Sequence, residues 1–421
     1  MKRRQFIRRA VTAAAVSSAV GAGIRGWTWQ NPVLAQASGS TVGAVNGALP
    51  TATPRLIVLL LRGAVDGLNV VVPYQEQNYY ASRPTIAIAQ PGEEKGAIDL
   101  DGQFGMHPAL KPLASEWESG NLAFIHAVGS PVVERSHFQA QDYIETGMLE
   151  ATNTTDGWLN RLVGVLPSGA TTQAVNIGRT APLIFAGTSP VASLAVAGNV
   201  SRPFPTDRSQ IKAAFDRLYA GDDTLARTYQ EGRKARDVLL QEFSEENMAA
   251  SRGAPAPGQF LTSAEYVARL MVGDAATQVA FMDLGNWDTH INERATLERH
   301  LSSLGDGLAA LATGLGDAYD HTSIVIMSEF GRTVAENGNG GTDHGFGNII
   351  GLLGGGIKGG KFYGEWPGLE LTELHQNRDL KVTTDFRDVL ISLLSQQFQL
   401  SDSQIEKVFP GYRLQKNFDF M

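Results

Sequence analysis

Carboxylates and imidazoles gather at four places in this sequence. Arg62-Gly63-Ala64-Val65-Asp66-Gly67-Leu68-Asn69 offers Asp66, and Gly285-Asn286-Trp287-Asp288-Thr289-His290 offers Asp288 and His290. Ser328-Glu329-Phe330-Gly331-Arg332-Thr333 offers Glu329, and Gly341-Thr342-Asp343-His344-Gly345 offers Asp343 and His344. Oxygen and imidazole donors of this kind suit Zn, Mn, Mg or Ca. The chain has no cysteine, which excludes thiolate-bound ions, a disulfide framework and a cysteine nucleophile. Asp288 and His290, two positions apart, project from one side of an extended segment. Asp343 and His344 are adjacent and point to different places, which suits two neighbouring metals or one ligand with a supporting partner. Each pair alone reads equally as an Asx turn or cap beside a solvated histidine. Their convergence is what points to a metal or anion site.

A fifth segment, Arg135-Ser136-His137-Phe138-Gln139-Ala140-Gln141, lies at a loop-to-helix transition. Ser136 there is either an N-cap, worth about 1 kcal/mol, or a nucleophile or metal-bridging hydroxyl where a helix N-terminus favours an anion. Two lookalikes fail. Gly355–Lys361 spells G-x-x-x-x-G-K but Phe362 follows where a P-loop needs Ser or Thr, and no G-x-S-x-G occurs. His126 closes an apolar run and reads as a core histidine. His107, His300, His321 and His375 lack a suggestive motif.

The elements that must position these groups are readable from periodicity. Leu56–Leu61 is apolar without alternation, as a strand covered on both faces must be. Further buried strands are expected at Leu122–His126, Val279–Asp283, Ser323–Met327 and Asn348–Leu353. Helical patterns lie at Ala109–Glu118, Gln139–Thr146, Trp158–Val165, Arg294–Leu315 and Asp385–Gln397. Strands alternating with helices predict an α/β three-layer sandwich with a mostly parallel central sheet. In such sheets ligands collect at the carboxyl ends of the strands, where the four places fall.

Composition divides the chain. Lys and Arg number 35 against 43 Asp and Glu, a net charge of −8, yet residues 1–37 hold six basic residues and no acid. Residues 38–421 therefore carry −14, which argues against nucleic acid as a partner. Hydrophobic residues make up 43%, enough for a sizeable core. Residues 1–37 read as a twin-arginine signal peptide. Arg3-Arg4-Gln5-Phe6-Ile7-Arg8 opens it, a weakly hydrophobic run follows, and Val33-Leu34-Ala35-Gln36-Ala37 ends it as a cleavage site. That places the protein in the periplasm or outside the cell, exported folded by the twin-arginine machinery. No other stretch reaches 18 apolar residues, so no stable membrane span is expected after cleavage. Residues 38–54 read as a flexible lead-in, and 55–421 as a single α/β domain with a helical insertion at about 204–258. The charged segment Phe204–Met248 is expected to form two surface helices, or a cap over the site, closed by Ala254-Pro255-Ala256-Pro257-Gly258.

The motifs together resemble an exported bacterial family, domain of unknown function 1501. The matching residues are the Arg62–Asn69 segment, Ser136-His137, Gly157-Trp158-Leu159, Trp287-Asp288-Thr289-His290, Ser328–Thr333 and Asp343-His344-Gly345, spread over about residues 55–400. That family is similar, more distantly, to the alkaline phosphatase and sulfatase superfamily. This second resemblance implies an alkaline phosphatase/sulfatase-like fold, Asp66, Asp288, His290, Glu329, Asp343 and His344 as metal ligands, and Ser136 as nucleophile. It implies one or two divalent metal ions per chain. Where the superfamily follows its strand-end Asp with His, this chain has Glu329 then Phe330, so a two-metal site and one metal with a rearranged shell both fit.

The expected activity is metal-dependent hydrolysis of a phosphate or sulfate ester on a small molecule or polymer. His137 or His344 would move protons, and Arg332 or Arg62 would hold a non-bridging oxygen. The alternative is a non-catalytic exported binding or assembly protein with a degenerate metal site, which Phe330 favours. A lyase or transferase on the same scaffold is a third option.

Overall fold

The seven residues Arg55–Leu61 form β1, and every one is buried. Ile57, Leu59 and Leu61 enter one apolar cluster, and Leu56, Val58 and Leu60 enter another. Two-residue alternation thus feeds two cores, one on each face of the sheet. This computed structural model describes residues 50, 52–149, 156–167, 173–178, 181–194, 217, 221, 249–273 and 277–421.

The remaining strands of the main sheet are β2 (Leu122–Gly129), β3 (Ala174–Ile177), β4 (Ala192–Leu194), β5 (Val279–Leu284), β6 (Thr322–Met327), β7 (Asn348–Leu353), β8 (Lys361–Tyr363) and β9 (Thr384–Asp385). Their order is β8-β2-β7-β6-β1-β5-β3-β4, with β9 also paired to β2. All pairings are parallel except those of β7, which runs antiparallel to β2 and β6. The sheet is mixed and mostly parallel.

Helices cover both faces. The first core packs β1 against α3 (Phe260–Val272) and α4 (Glu293–Leu315), through residues such as Phe260, Leu301, Leu304 and Leu308. The second packs it against α1 (His137–Thr146), α2 (Trp158–Val165) and α5 (Phe386–Phe398), through Ile144, Trp158, Leu162 and Leu390. Among the described residues no helix is long and apolar enough to cross a membrane.

Register brings the strand ends level. Leu61 lies opposite Leu284 of β5, and Leu60 lies opposite Met327 of β6. The loops after β1, β5 and β6 therefore leave the sheet side by side. Because β7 runs the other way, the loop entering it at Asn348 reaches the same edge. So does the exit of β2 at Gly129, three residues beyond the expected end at His126. A bulge near Ala127, whose φ is 52°, turns that exit.

The expected helix Ala109–Glu118 is a 3-10 segment, Pro108–Leu113, followed by one α turn, Ala114–Glu118. Pro112 has no N–H to continue an α ladder. The signal segment 1–37 lies outside the described residues, as does the lead-in except for 50 and 52–54. The expected insertion lies outside them at 204–216, 218–220 and 222–248.

Candidate metal centre

Close backbone approach builds the edge where the loops meet. Gly63 has φ +113°, and a Cβ there would stand 2.6 Å from the Asp288 backbone nitrogen. Only glycine lets the loops after β1 and β5 touch. Gly331 presses in the same way on the Gly347 carbonyl, joining the loop after β6 to the loop before β7. A β-bridge between Arg332 and His344 continues that contact.

Four side-chain donors converge in this space. His344 Nε2 is 2.9 Å from His137 Nε2 and 3.0 Å from His290 Nε2. Asp288 Oδ1 is 3.0 Å from His290 Nε2, 3.3 Å from His344 Nε2 and 3.6 Å from His137 Nε2. Donors at about 2.0–2.1 Å from a tetrahedral zinc stand about 3.3 Å apart, in the middle of this range. The potential ligand atoms of His137, Asp288 and His344 all lie within 4.8 Å of one another.

The far nitrogen of each ring explains why the near ones converge. His344 Nδ1 donates to the Arg135 carbonyl at 2.9 Å, and a carbonyl only accepts. His137 Nδ1 donates to Glu329 Oε1 at 2.7 Å, and His290 Nδ1 lies 3.2 Å from Asp343 Oδ1. In neutral rings with each Nδ1 carrying the proton, the Nε2 lone pairs would turn towards one another. Such lone pairs repel unless a cation sits among them, and this pattern of outer acceptors is how metal-binding histidines are held.

The charges are set by the same contacts. Burial pulls His137 down, but hydrogen bonds to Asp288 and Glu329 outweigh it and raise the metal-free ring to about 9. Burial raises Glu329, and its bond to His137 outweighs that and holds the carboxyl at about 2. For Asp288, Arg332 and the three imidazoles overcome burial and keep the carboxyl far below its usual range. Burial lowers His344. The side chains of His290 and His344 remain 11% and 15% exposed, so the centre opens to solvent.

Other expected site residues sit elsewhere or do something else. Asp66 is not presented to the histidines; both its oxygens accept from Arg83 in a fully buried ion pair. Glu329 supports His137, as above, and its Oε1 also accepts from Gly63 N and Gln141 Nε2. Asp343 stands at the rim, its side chain 55% exposed, behind His290. Arg332 has no room for a substrate oxygen. It is buried and donates to Ala64 O, Gly63 O, Trp287 O, Thr342 O and, at 2.6 Å, Asp288 Oδ1. Arg62 is likewise consumed by Asp283, Gln141 and Glu145. His137, expected to move protons, instead brings Nε2 among the potential ligand atoms of Asp288 and His344. Ser136 occupies the N-cap position of α1, half-buried, and its side chain makes no cap hydrogen bond.

Sequence reading missed Glu293, Arg83, Gln141 and Glu145. Each is an ordinary polar residue on a helix or at its end. Only its burial, at 1% exposure or less, marks it as part of the support.

The family profile described as Protein of unknown function (DUF1501) matches residues 53–409. No curated protein matches the chain. Among solved structures, a protein in the alkaline phosphatase superfamily from Vibrio parahaemolyticus aligns at 11% identity and TM-score 0.40, over 84% of this chain and 68% of its own. A 2-O GAG sulfatase aligns at 10% identity and TM-score 0.39, over 87% and 76%.

Proposed function

This chain belongs to the DUF1501 family of proteins of unknown function, and from that premise we propose that it is an exported, metal-dependent hydrolase of phosphate or sulfate esters. The carrying observation is the convergence of His137, His290 and His344 Nε2 on Asp288 Oδ1, each ring held from behind through Nδ1. A divalent ion held there would supply Lewis acidity to an ester oxygen and lower the pKa of an attacking hydroxyl.

The chain's own residues supply the rest. Ser136, next to His137 and free of a cap bond, is the candidate nucleophile, at a helix start that favours an anion. Arg135 and Arg378 flank His344, through the Arg135 carbonyl and a bond from Arg378 to the His344 carbonyl. Both guanidiniums pair with the single carboxylate of Asp379, which leaves one positive charge in surplus. Their side chains are 34% and 39% exposed, so that charge faces an incoming anion. The choice of ester follows the motif resemblance to the phosphatase and sulfatase superfamily. Export rests on Arg3-Arg4-Gln5-Phe6-Ile7 and the small-residue site ending at Ala37.

A non-catalytic reading is favoured by one observation. Four protein side chains crowd the centre, as in structural metal sites that leave no open position, and buried Phe330 packs against the rings of His137 and His344. Elemental analysis of purified protein, then phosphatase and sulfatase assays with Zn, Mn, Mg or Ca, separates the two. Turnover lost in a D288A/H290A protein is expected. A tightly bound ion with no turnover above that double variant would overturn the hydrolase and leave the structural site.

A further inference from the structure

Glu293 is the first residue of α4 and has no exposed surface. It lies three positions after His290, outside the convergent donors. One oxygen, Oε2, accepts from the Thr289 hydroxyl at 3.0 Å and from the Thr342 hydroxyl at 2.5 Å. Thr289 stands between Asp288 and His290. Thr342 is two residues before His344. The backbone joins the same two points, with Thr342 N donating to Thr289 O at 3.2 Å.

We propose that Glu293 is a positioning residue for the metal centre, clamping the loop that carries Asp288 and His290 to the loop that carries His344. The proposal rests on the metal reading above. It also gives Asp66 a place. The Asp66 and Glu293 carboxyls are close enough to share a proton, and Arg83 neutralises Asp66 from the other side. Burial and the neighbouring Asp66 charge push the Glu293 carboxyl well above its usual range. A neutral Glu293 donates its one proton to Asp66 and keeps Oε2 as a pure acceptor for both threonines. Arg83 itself is fixed by Asn69 and by the Val334 and Thr333 carbonyls, so the clamp is anchored in the fold rather than in solvent. The line Arg83–Asp66–Glu293–threonine pair sets how far His290 Nε2 stands from His344 Nε2.

Glutamine in place of glutamate tests this directly. Its N–H can donate to Asp66 while its oxygen accepts from both hydroxyls, which reproduces the neutral acid. Purified protein titrated with cobalt(II) reports the ligand set through its visible absorption bands. Glu293→Ala is expected to bind cobalt about 10–100-fold more weakly with shifted bands, while Glu293→Gln stays near the unaltered protein. Thr342→Val, which removes one arm, is expected to fall between them and serves if Glu293→Ala does not fold. Equal affinity and unchanged bands in Glu293→Ala or Thr342→Val would overturn the proposal. If the unaltered protein binds no cobalt, the metal reading fails, and a crystal structure of Glu293→Ala decides the clamp. A His290–His344 Nε2 separation well beyond 3.0 Å upholds it, and an unchanged one overturns it.

Discussion

Glu329 Oε1, on a carboxyl that is itself fully buried, accepts a hydrogen bond from His137 Nδ1–H at 2.7 Å. A strand-end carboxylate that could have been a ligand instead aims one. The same oxygen accepts from Gly63 N and Gln141 Nε2, so the loop after β1, the loop after β6 and helix α1 meet on a single atom.

Replacing Glu329 by Gln is expected to weaken metal binding by about 10–100-fold, the usual cost of losing such an outer partner. Competition against a chelator measures it. Affinity equal to that of the unaltered protein would show that Glu329 does not orient His137.

Arg332→Met is expected to destabilise the protein by about 3–5 kcal/mol, because it strands Asp288 as a buried charge and frees several loop carbonyls. Urea unfolding gives the figure. Arg332→Lys is expected to recover only part of it, since an ammonium cannot span the same fork of acceptors. Full recovery by lysine would reduce the role to charge alone.

Arg378→Ala is expected to raise KM for an anionic ester, or the inhibition constant of free phosphate or sulfate, about tenfold, the worth of one charge-assisted bond. Metal content should not change. An unchanged constant would remove the surplus guanidinium from substrate recognition.

Acid stability is expected to depend on His107 and His126. Burial pulls both rings down to about 4, from 6.5. Between those values the unfolded chain takes up protons that the folded one refuses. Stability therefore falls as pH drops from about 6.5 to about 4, by up to about 3 kcal/mol for each ring, and neither ring contributes to a change above that window. Denaturation across that range should show a shallower slope for His126→Phe, which keeps the aromatic packing against Phe104, Phe362 and Trp366. An unaltered slope would mean His126 is charged in the fold.

The strands were the most legible part of the chain. An unbroken apolar run such as Leu56–Leu61 can only be buried on both faces, and β7 matches its expected limits at both ends. Asp288, His290 and His344 were visible because each pairs with a neighbour of matching chemistry at a strand end. Asp66 misled for the same reason. Its local sequence is that of a ligand, and the guanidinium that consumes it lies 17 residues on, at the end of the helix Gln77–Ser82. Arginine roles were the least legible. Nothing in the spelling of Arg62 or Arg332 distinguishes one that faces substrate from one surrounded by carbonyls. Glu293 stands one residue before the expected helix Arg294–Leu315 and carried no signal there, since its bonds to Thr289 and Thr342 depend on a fold that brings position 342 beside position 289.

His137 and His344 lie 207 positions apart in the chain. Contacts of such separation are slow to form, because their loop entropy is lost before the contact returns anything. No partly folded chain can present the four donors together; β2, β5, β6 and the reversed β7 must all be in register first. An ion selective for the finished centre would therefore draw the folding equilibrium forward, by about 2.7 kcal/mol at one hundred times its dissociation constant. On the proposed metal reading, occupancy would be a record of assembly: a chain that has misplaced the segment 341–345 would have no cage in which to keep an ion.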